Sequence, residues 1–360
     1  MFSSQGLRPI VKTAVAGTLH RSGLLGLLGR PPLAVLGYHR VLEGPLTGVT
    51  TCPLGMVVTP EMFERQLAYA ARRYRIVSLA EIADACEGGR PLPPRACFVT
   101  FDDGWRDNYT VAYPILRRMG LPAAVFVTTD FIGTRRAFWF TPLMQCVLRG
   151  GGRKLRGGDA QDLGFPADVA LEMDRLVSQP HPLHPGMVTP LVEMLKKYPE
   201  PTIERLVEGL AARLGGAGAP GDEPFFLTWD QVRELDRGGM SVGSHTCSHK
   251  ILTQIGDEEA RRELRLSREK LEAELGRPVA SLAFPNGDYS PAHMTMAWEA
   301  GYRLFFVSTK VHAGGPAGRV FPRPCVEDGV GRGLAGGFSP SLLEFHLAGA
   351  WDRLRGRGAS

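Results

Sequence analysis

The sequence predicts an α/β fold built on parallel strands, and three observations lead to it. Short apolar runs recur along the chain from Leu33 onward. Amphipathic stretches of helical periodicity separate these runs, as is typical of parallel strands joined by helical crossovers. The 360 residues are 44% hydrophobic and 22% charged, which excludes disorder as the main state. The pattern therefore indicates a wound α/β sheet or a barrel.

Six apolar runs are the predicted strands. Each is rich in Val, Phe, Ala or Leu and has the length of a buried strand. They cover residues 33–38, 96–101, 123–128, 240–244, 281–284 and 303–308.

Helix-start signals precede several of the stretches between these strands. Pro at a first helical position and capping boxes, in which side chain and backbone satisfy each other's free donors, mark such starts. They occur at Thr59 with Pro60, at Ser78 with Glu81, and at Thr228 with Gln231. A further helix is predicted with Asp257 as its cap and a stop at Gly276.

The alternation breaks at about residue 141 and resumes at about 223. Glycine-rich ends flank helical patterns at 171–176, 191–197 and 203–214. We therefore predict an inserted helical subdomain at 141–222 between two parts of one main domain, 33–140 and 223–328. An N-terminal segment, 1–32, and a C-terminal tail, 329–360, which is helical from Ser339, complete the chain.

The N-terminal segment leaves two alternatives open. Its apolar residues recur at helical spacing, so it is either a helix packed on its own domain or an amphipathic helix on a membrane surface. Its longest uncharged run is too short for a bilayer span or a convincing signal peptide. We expect a cytoplasmic protein, with peripheral membrane contact through this segment as the second alternative. The apolar residues are Leu7, Val11, Ala14, Val15 and Leu19.

The distribution of charge and the spacing of the cysteines argue against several classes of function. The net charge of +5 is spread along the chain without a basic stripe, so nucleic acid is not an expected partner. The six cysteines contain no C-x-x-C pair, which argues against a disulfide scaffold or a cysteine-only zinc site.

Polar residues follow two of the predicted strands directly. Asp102 and Asp103 come after the strand at 96–101, and His245 and His249 come after the strand at 240–244. Ligands of α/β folds bind at the carboxyl ends of parallel strands. A turn at Gly104 lets the two carboxylates take different roles. Two His and one carboxylate can hold zinc with room for water, and the second carboxylate can act as the base.

Three segments of the chain have the form of catalytic motifs: Thr100-Phe101-Asp102-Asp103-Gly104, Ser244-His245-Thr246-Cys247-Ser248-His249 and Phe284-Pro285-Asn286-Gly287. They resemble the motifs of the polysaccharide deacetylase family, carbohydrate esterase family 4, also called the NodB-homology domain. The resemblance covers about residues 33–140 and 225–325. It implies a distorted (β/α)7 barrel that hydrolyses an acetamido group, usually on N-acetylglucosamine units, using Zn2+ or another divalent transition metal.

The resemblance also implies roles for individual residues. Asp102 matches the catalytic base, and Asp103, His245 and His249 match the metal ligands. Thr246 matches a hydroxyl residue that steadies the motif loop. Asn286 aligns where a backbone N–H contributes to oxyanion binding.

The chain departs from the family pattern at two places. Ala283 stands where many members have an Arg that orients the base, and the late Leu-x-His motif that supplies the acid is missing, because His346 has the wrong spacing. Tyr38-His39 resembles the Tyr-His of the poly-N-acetylglucosamine deacetylase branch, where that His is the acid. His39 is therefore the candidate acid, or else a structural His that holds its loop.

Aromatic side chains are candidates for stacking on sugar faces, because a ring offers apolar area to the C–H face of a pyranose. Trp139 and Phe140 are the preferred candidates, since they enter the insertion. The others are Trp105, Trp229 and Tyr289.

The expected function is metal-dependent removal of acetyl groups from an acetylated glycan. Two alternatives remain: an O-acetyl esterase or amidase that acts on a non-sugar substrate with the same site, and a glycan-binding member without turnover.

Overall fold

Seven parallel strands form a nearly closed barrel, as the family resemblance implies. The structure is a computed structural model that describes residues 4–22, 31–150, 156–180, 182–214, 224–308, 315–348 and 350. Its strands are β1 Leu33–Tyr38, β2 Arg40–Val41, β3 Val57–Val58, β4 Arg75–Ile76, β5 Ala96–Phe101, β6 Ala124–Val127, β7 Ser241–Ser244, β8 Ser281–Ala283, β9 Leu304–Ser308 and β10 Val320–Arg323.

The strand order places the two motif-bearing strands near each other. The path runs β1-β5-β6-β7-β8-β9-β10, with β4 paired to β5 beside it. Every neighbouring pair is parallel, so all the carboxyl ends lie at one end of the barrel. All residues of β1, β5 and β6 are buried, which explains why these strands read as continuous apolar runs.

Strands β1 and β10 meet at a seam that was not predicted. The Gly37 N–H donates to the Pro324 carbonyl at 3.3 Å, and the Val326 N–H donates to the Gly37 carbonyl at 2.6 Å. A Cβ at position 37 would lie 3.0 Å from the Pro324 oxygen, so glycine permits this close approach. The seam brings His39, just after β1, toward Arg323 and Cys325.

Thirteen α-helices lie in the described ranges. They are α1 Ser4–Arg21, α2 Pro60–Arg73, α3 Leu79–Cys86, α4 Tyr113–Met119, α5 Phe140–Gln145, α6 Asp159–Asp162, α7 Ala167–Val177, α8 Thr189–Leu195, α9 Glu200–Arg213, α10 Trp229–Arg237, α11 Asp257–Leu275, α12 Pro291–Glu299 and α13 Pro340–Leu347.

Most of the helix-end signals act as predicted. Thr59 caps α2, and capping boxes begin α3 at Ser78 and α10 at Thr228. The assignment of Asp257 as a cap was wrong by one residue: Gly256 is the N-cap of α11, and Asp257 lies in its acidic first turn. A carboxylate there is stabilised by the helix dipole, so the same sequence signal fits either position.

The chain divides into two compact units. The first unit comprises Met1–Leu42, Val58–Ile132 and Leu227–Ser360, and the second comprises Glu43–Val57 and Gly133–Phe226. The first unit holds the barrel. The second contains α5 to α9 and a core of aliphatic and aromatic side chains that includes Val169, Leu191 and Phe226.

Helix α1 packs on α13 within the first unit. Ala16 is buried in a cluster with Phe345 and Leu342, and Val15 and Leu19 pack against the same cluster. The side chains of the first twelve residues lie outside the described part of the chain. No helix in the described ranges is long and apolar enough to cross a membrane. Membrane contact through residues 1–32 stays a prediction.

Candidate metal and acid–base site

Three side chains from two strand ends converge as a potential metal site. Asp103 follows β5, and His245 and His249 follow β7. Their nearest nitrogen and oxygen atoms all lie within 4.8 Å of one another. Asp103 Oδ1 is 3.5 Å from His245 Nε2 and 3.3 Å from His249 Nε2. The geometry brings together the three residues that the resemblance names as ligands.

The tautomer of His245 leaves the lone pair of its Nε2 facing Asp103. His245 Nδ1 lies 2.7 Å from the Ala283 carbonyl, which can only accept, so this nitrogen carries the proton. Burial is the main cause that lowers the pKa of His245 to about 4, so the ring is neutral at pH 7. Its Nε2 is then an acceptor directed at the carboxylate. A carbonyl partner of this kind is the usual support of a metal-binding imidazole.

The Asp103 carboxylate fits a cation at this position. Asp103 is buried, and its Oδ1 forms no hydrogen bond with any described residue. Burial opposes the charge, but His249, whose Nε2 lies 3.3 Å from Oδ1, together with His39 and His245, holds the pKa of Asp103 well below its usual range. A cation held between this oxygen and the His245 lone pair would satisfy both groups. The residues present therefore fit a divalent metal.

The second oxygen of Asp103 has a fixed partner. The Trp105 indole N–H donates to Asp103 Oδ2 at 2.7 Å. Trp105 is fully buried, so its interpretation as a surface for a sugar ring was wrong. Trp105 lies two residues after Asp103, and the turn between them brings its indole N–H to the Asp103 carboxylate. Residue type alone does not predict this contact.

Left-handed backbone conformations concentrate at this site. Five described residues other than glycine have positive φ, and four belong to the three motifs: Asp103 (73°), Thr246 (65°), His249 (64°) and Asn286 (55°). Such conformations cost energy for residues with a Cβ and often cluster at functional sites. Gly104 follows with φ 80°, which supplies the predicted turn after the two carboxylates.

Asp102 points at a different set of partners. Arg323 Nη1, at the end of β10, donates to Asp102 Oδ1 at 2.6 Å, and both side chains are buried. Burial would raise the pKa of Asp102, but Arg323, followed by His245 and His39, holds it below its usual range. The carboxylate is thus ionised and able to accept a proton. Arg323 thus contacts the candidate base, whereas Ala283 stands where many family members have an orienting Arg.

His39 lies on the other side of Asp102. Its Nε2 is 3.8 Å from Asp102 Oδ2, and its Nδ1 is 3.6 Å from the Cys325 sulfur. Burial works to lower the pKa of His39, but Cys325, Asp103 and Asp102 outweigh it and raise the value to about 9. The ring can therefore hold a proton at neutral pH beside the candidate base.

The loop that carries His249 is held by a residue that the motifs do not contain. The buried Glu263 of α11 accepts hydrogen bonds from the Cys247 N–H at 2.9 Å, the Ser248 N–H at 2.8 Å and the Ser248 hydroxyl at 2.6 Å. The support expected of the Thr246 hydroxyl is absent, because this buried oxygen forms no hydrogen bond with any described residue. Thr246 contributes through its N–H, which donates to Ser244 Oγ at 3.1 Å.

The remaining candidates divide into exposed and buried side chains. Asn286 is exposed after β8, and its amide nitrogen donates to Asp288 Oδ2 at 2.5 Å. Trp139 is half-buried in the second unit. Phe140 is 6% exposed and packs against Phe138 within the second unit, so little of its ring surface is free to stack on a sugar.

The comparisons with known proteins agree with the fold and the motifs. The sequence profile of the polysaccharide deacetylase family matches residues 89–305, more than half of the chain. His39 and Arg323 lie outside this match. Over 69 residues the chain is 41% identical to the poly-beta-1,6-N-acetyl-D-glucosamine N-deacetylase of Escherichia coli (strain K12). That alignment covers 19% of the chain and only 10% of the relative.

Two solved structures share the architecture. The Streptococcus pyogenes deacetylase PplD in complex with acetate has a TM-score of 0.53 at 18% identity, with 88% of this chain and 97% of that one covered. IcaB from Ammonifex degensii has a TM-score of 0.50 at 19% identity, with 82% and 91% covered. At these identities the likeness shows the fold. The family match over residues 89–305 shows more: this chain belongs to the polysaccharide deacetylase family.

Proposed function

We propose that this protein removes acetyl groups from N-acetylated sugar units of a poly- or oligosaccharide. The observation that carries the proposal is the position of the Asp102 carboxylate 3.8 Å from the His39 imidazole, beside the cluster of Asp103, His245 and His249. The family and the relative that deacetylates poly-beta-1,6-N-acetyl-D-glucosamine support a sugar amide as the substrate.

Asp103, His245 and His249 would hold the metal, which we propose to be Zn2+ or another divalent transition metal. Two neutral imidazoles and one carboxylate are a common ligand set of catalytic zinc, and they leave a position open for water. A divalent ion held there would supply Lewis-acid chemistry, lowering the pKa of a bound water and polarising the acetyl carbonyl.

Asp102 acts as the general base. Arg323 on Oδ1 keeps the carboxylate ionised and fixes its orientation, so Oδ2 is the oxygen that faces His39 and is left to accept a proton. Asp102 takes one proton from the attacking water as the new C–O bond forms at the acetyl carbon. A buried carboxyl group without a cationic partner would be a weaker base, because burial alone favours its neutral form.

His39 acts as the general acid. The amine leaves only when its nitrogen gains a proton as the C–N bond breaks, and His39 is positioned to give one. Its raised pKa keeps it protonated until the moment of transfer at neutral pH. The products are the free sugar amine and acetic acid, which ionises to acetate at neutral pH. Asp102 has gained one proton and His39 has lost one, and proton exchange with solvent restores both residues.

Two further residues complete the proposal. The backbone N–H of Asn286 would stabilise the negative charge that develops on the acetyl oxygen, since donors aimed at that charge contribute strongly to catalysis. Trp139, whose ring remains half-buried, would stack on a sugar face.

Acetate release from N-acetylated oligosaccharides of defined linkage tests the function. The chain is stripped of metal, reloaded with Zn2+ and compared with the His249→Ala variant, which lacks one ligand. We expect acetate and free amine in equal amounts from the loaded parent and neither from the variant.

The same assay separates the alternatives. Release from acetylated sugar esters or from non-sugar amides, with none from N-acetylated sugars, would replace the proposed substrate. Tight metal binding and glycan binding without acetate from any substrate would indicate a member without turnover.

A further inference from the structure

We propose that Trp105, Arg40 and Asp107 form a relay that positions the Asp103 carboxylate for metal binding. The relay rests on the metal site of the proposed function and adds positioning residues to it. Trp105 makes the direct contact, Arg40 holds Trp105, and Asp107 holds Arg40.

The first contact separates the two oxygens of Asp103. Trp105 Nε1 donates to Oδ2 at 2.7 Å, while Oδ1 is the oxygen that faces the imidazoles. A carboxylate whose Oδ2 is held by a hydrogen bond cannot rotate freely about its Cβ–Cγ bond. The indole therefore selects which oxygen is presented to the cation, in the way that hydrogen-bonded partners of ligands usually do.

The second contact places a positive charge over the indole. The Arg40 guanidinium carbon lies 4.2 Å from the centroid of the Trp105 ring, well within the range of a cation–π interaction. Both side chains are buried, so solvent does not screen this charge. A cation above the ring draws electron density from it, which makes the N–H a stronger donor to Asp103.

The third contact fixes the guanidinium. Asp107 Oδ2 accepts from Arg40 Nε at 2.9 Å and lies 2.8 Å from Arg40 Nη2. Its other oxygen accepts the Val41 N–H at 2.7 Å. The carboxylate thus holds both the side chain and the backbone of the segment that follows His39.

The relay also connects the metal ligand to the candidate acid. Asn108, the neighbour of Asp107, donates from its side chain to the His39 carbonyl at 2.8 Å. Residues 107 and 108 therefore hold the His39–Val41 segment, while residue 105 holds Asp103. Residues 105–108, which follow the first motif, thus position both the candidate metal ligand Asp103 and the candidate acid His39.

The chemistry of Trp105 allows a sharp test, because Phe fills most of the same space without an N–H. Metal affinity is measured on the full chain by competition with a chromophoric chelator, with Zn2+ as the probe and no substrate. We expect Trp105→Phe to weaken affinity by about 10- to 100-fold, the usual effect of losing such a ligand partner. Trp298→Phe is the matched control: Trp298 also stacks under an arginine, Arg303, but outside the site, and its affinity should match the parent.

A double-mutant cycle tests whether Arg40 acts through Trp105. Arg40→Met and Trp105→Phe are combined, and Arg40→Lys retains the charge should the Met variant fail to fold. We expect the combined loss of affinity to be clearly smaller than the product of the single losses, because both changes interrupt one path. The visible absorption of Co2+-loaded protein should also change in Trp105→Phe, since the freed Oδ2 can approach the ion.

Two results would overturn the inference in different ways. Parent-like Zn2+ affinity and Co2+ absorption in Trp105→Phe, or losses that multiply independently in the cycle, would show that the indole and arginine only fill space. If the unaltered chain binds no divalent ion, the proposed metal site fails together with the relay.

Discussion

Arg323 and Asp102 form a buried ion pair across 221 positions of sequence, with Arg323 Nη1 2.6 Å from Asp102 Oδ1. The pair joins the last strand of the barrel to the first motif. It supplies to the candidate base the partner that the third motif lacks, and it makes the charge of Asp102 depend on a residue outside the family match.

Loss of Arg323 should therefore affect both stability and the pH profile. Arg323→Met leaves Asp102 buried without its partner, which we expect to cost about 3–5 kcal/mol in the free energy of unfolding. Because Arg323 lowers the pKa of Asp102, the acid limb of kcat/KM should move to higher pH. Urea unfolding and a pH series measure the two effects.

The matched control for this prediction is Asp102→Asn, which removes the buried charge. On that background Arg323→Met should cost much less stability than in the parent. Equal costs on the two backgrounds would show that the pair contributes no interaction of its own.

Variants of the candidate metal ligands and a variant of the candidate base should differ in metal binding and in turnover. Asp103→Ala, His245→Ala and His249→Ala should each lose the ion, whereas Asp102→Asn should retain it with turnover lowered about 100-fold or more, because an amide accepts no proton. In the parent, metal at 100 times its Kd should add about 2.7 kcal/mol to the free energy of unfolding. Metal analysis and unfolding curves with and without Zn2+ check both. Retention of metal by all three alanine variants would remove the site.

His39 should set the alkaline limb of the rate profile. Its pKa is raised to about 9, with Cys325 as the largest raising cause, so activity should fall at a pH above the ordinary value of about 6.5 as the acid loses its proton. His39→Gln should abolish that limb and reduce amide hydrolysis far more than hydrolysis of an activated acetyl ester, whose leaving group needs little protonation. Cys325→Ala, which removes a group that raises the pKa, should move the limb to lower pH. An alkaline limb that survives in His39→Gln would assign the acid to another residue.

Glu263 should stabilise the loop that carries His249. Glu263→Ala leaves the Cys247 and Ser248 amides without their acceptor, at a cost of about 1–3 kcal/mol for each one that stays buried. We also expect weaker Zn2+ binding, since His249 follows this loop directly. Ser248→Ala removes only the hydroxyl bond and serves as the mild control. Parent-like metal affinity in Glu263→Ala would show that the loop keeps its shape without the carboxylate.

The strands that were predictable are those with both faces buried. The bounds of β1 and β5 match the apolar runs at 33–38 and 96–101, because continuous burial leaves a continuous apolar signal. Strand β10 was missed because it has four residues and contains Pro322, which lacks an N–H and is typical of edge positions. Its place depends on closure at Gly37, a contact that no local pattern reveals.

The site was predictable where a motif places residues side by side. Asp102, Asp103, His245 and His249 occur at fixed short spacings, and the structure brings them together as expected. Arg323 and Glu263 act on these motifs from distant segments, so their roles follow only from the folded chain. Trp105 shows a different limit: residue type suggested a sugar contact, but its burial and its N–H direct it to Asp103 instead.

The seam between β1 and β10 also orders the completion of the site during synthesis. Chains are made from the N-terminus, and early segments begin to organise while later ones are still on the ribosome. The three metal ligands are all present once residue 249 has emerged, whereas Arg323 follows much later. The three candidate ligand residues are thus synthesised before the residue that holds the candidate base. Under the proposed function, the candidate base would gain its arginine partner only when the last strand has closed onto the first, so barrel closure would complete the acid–base pair after the ligand residues are in the chain.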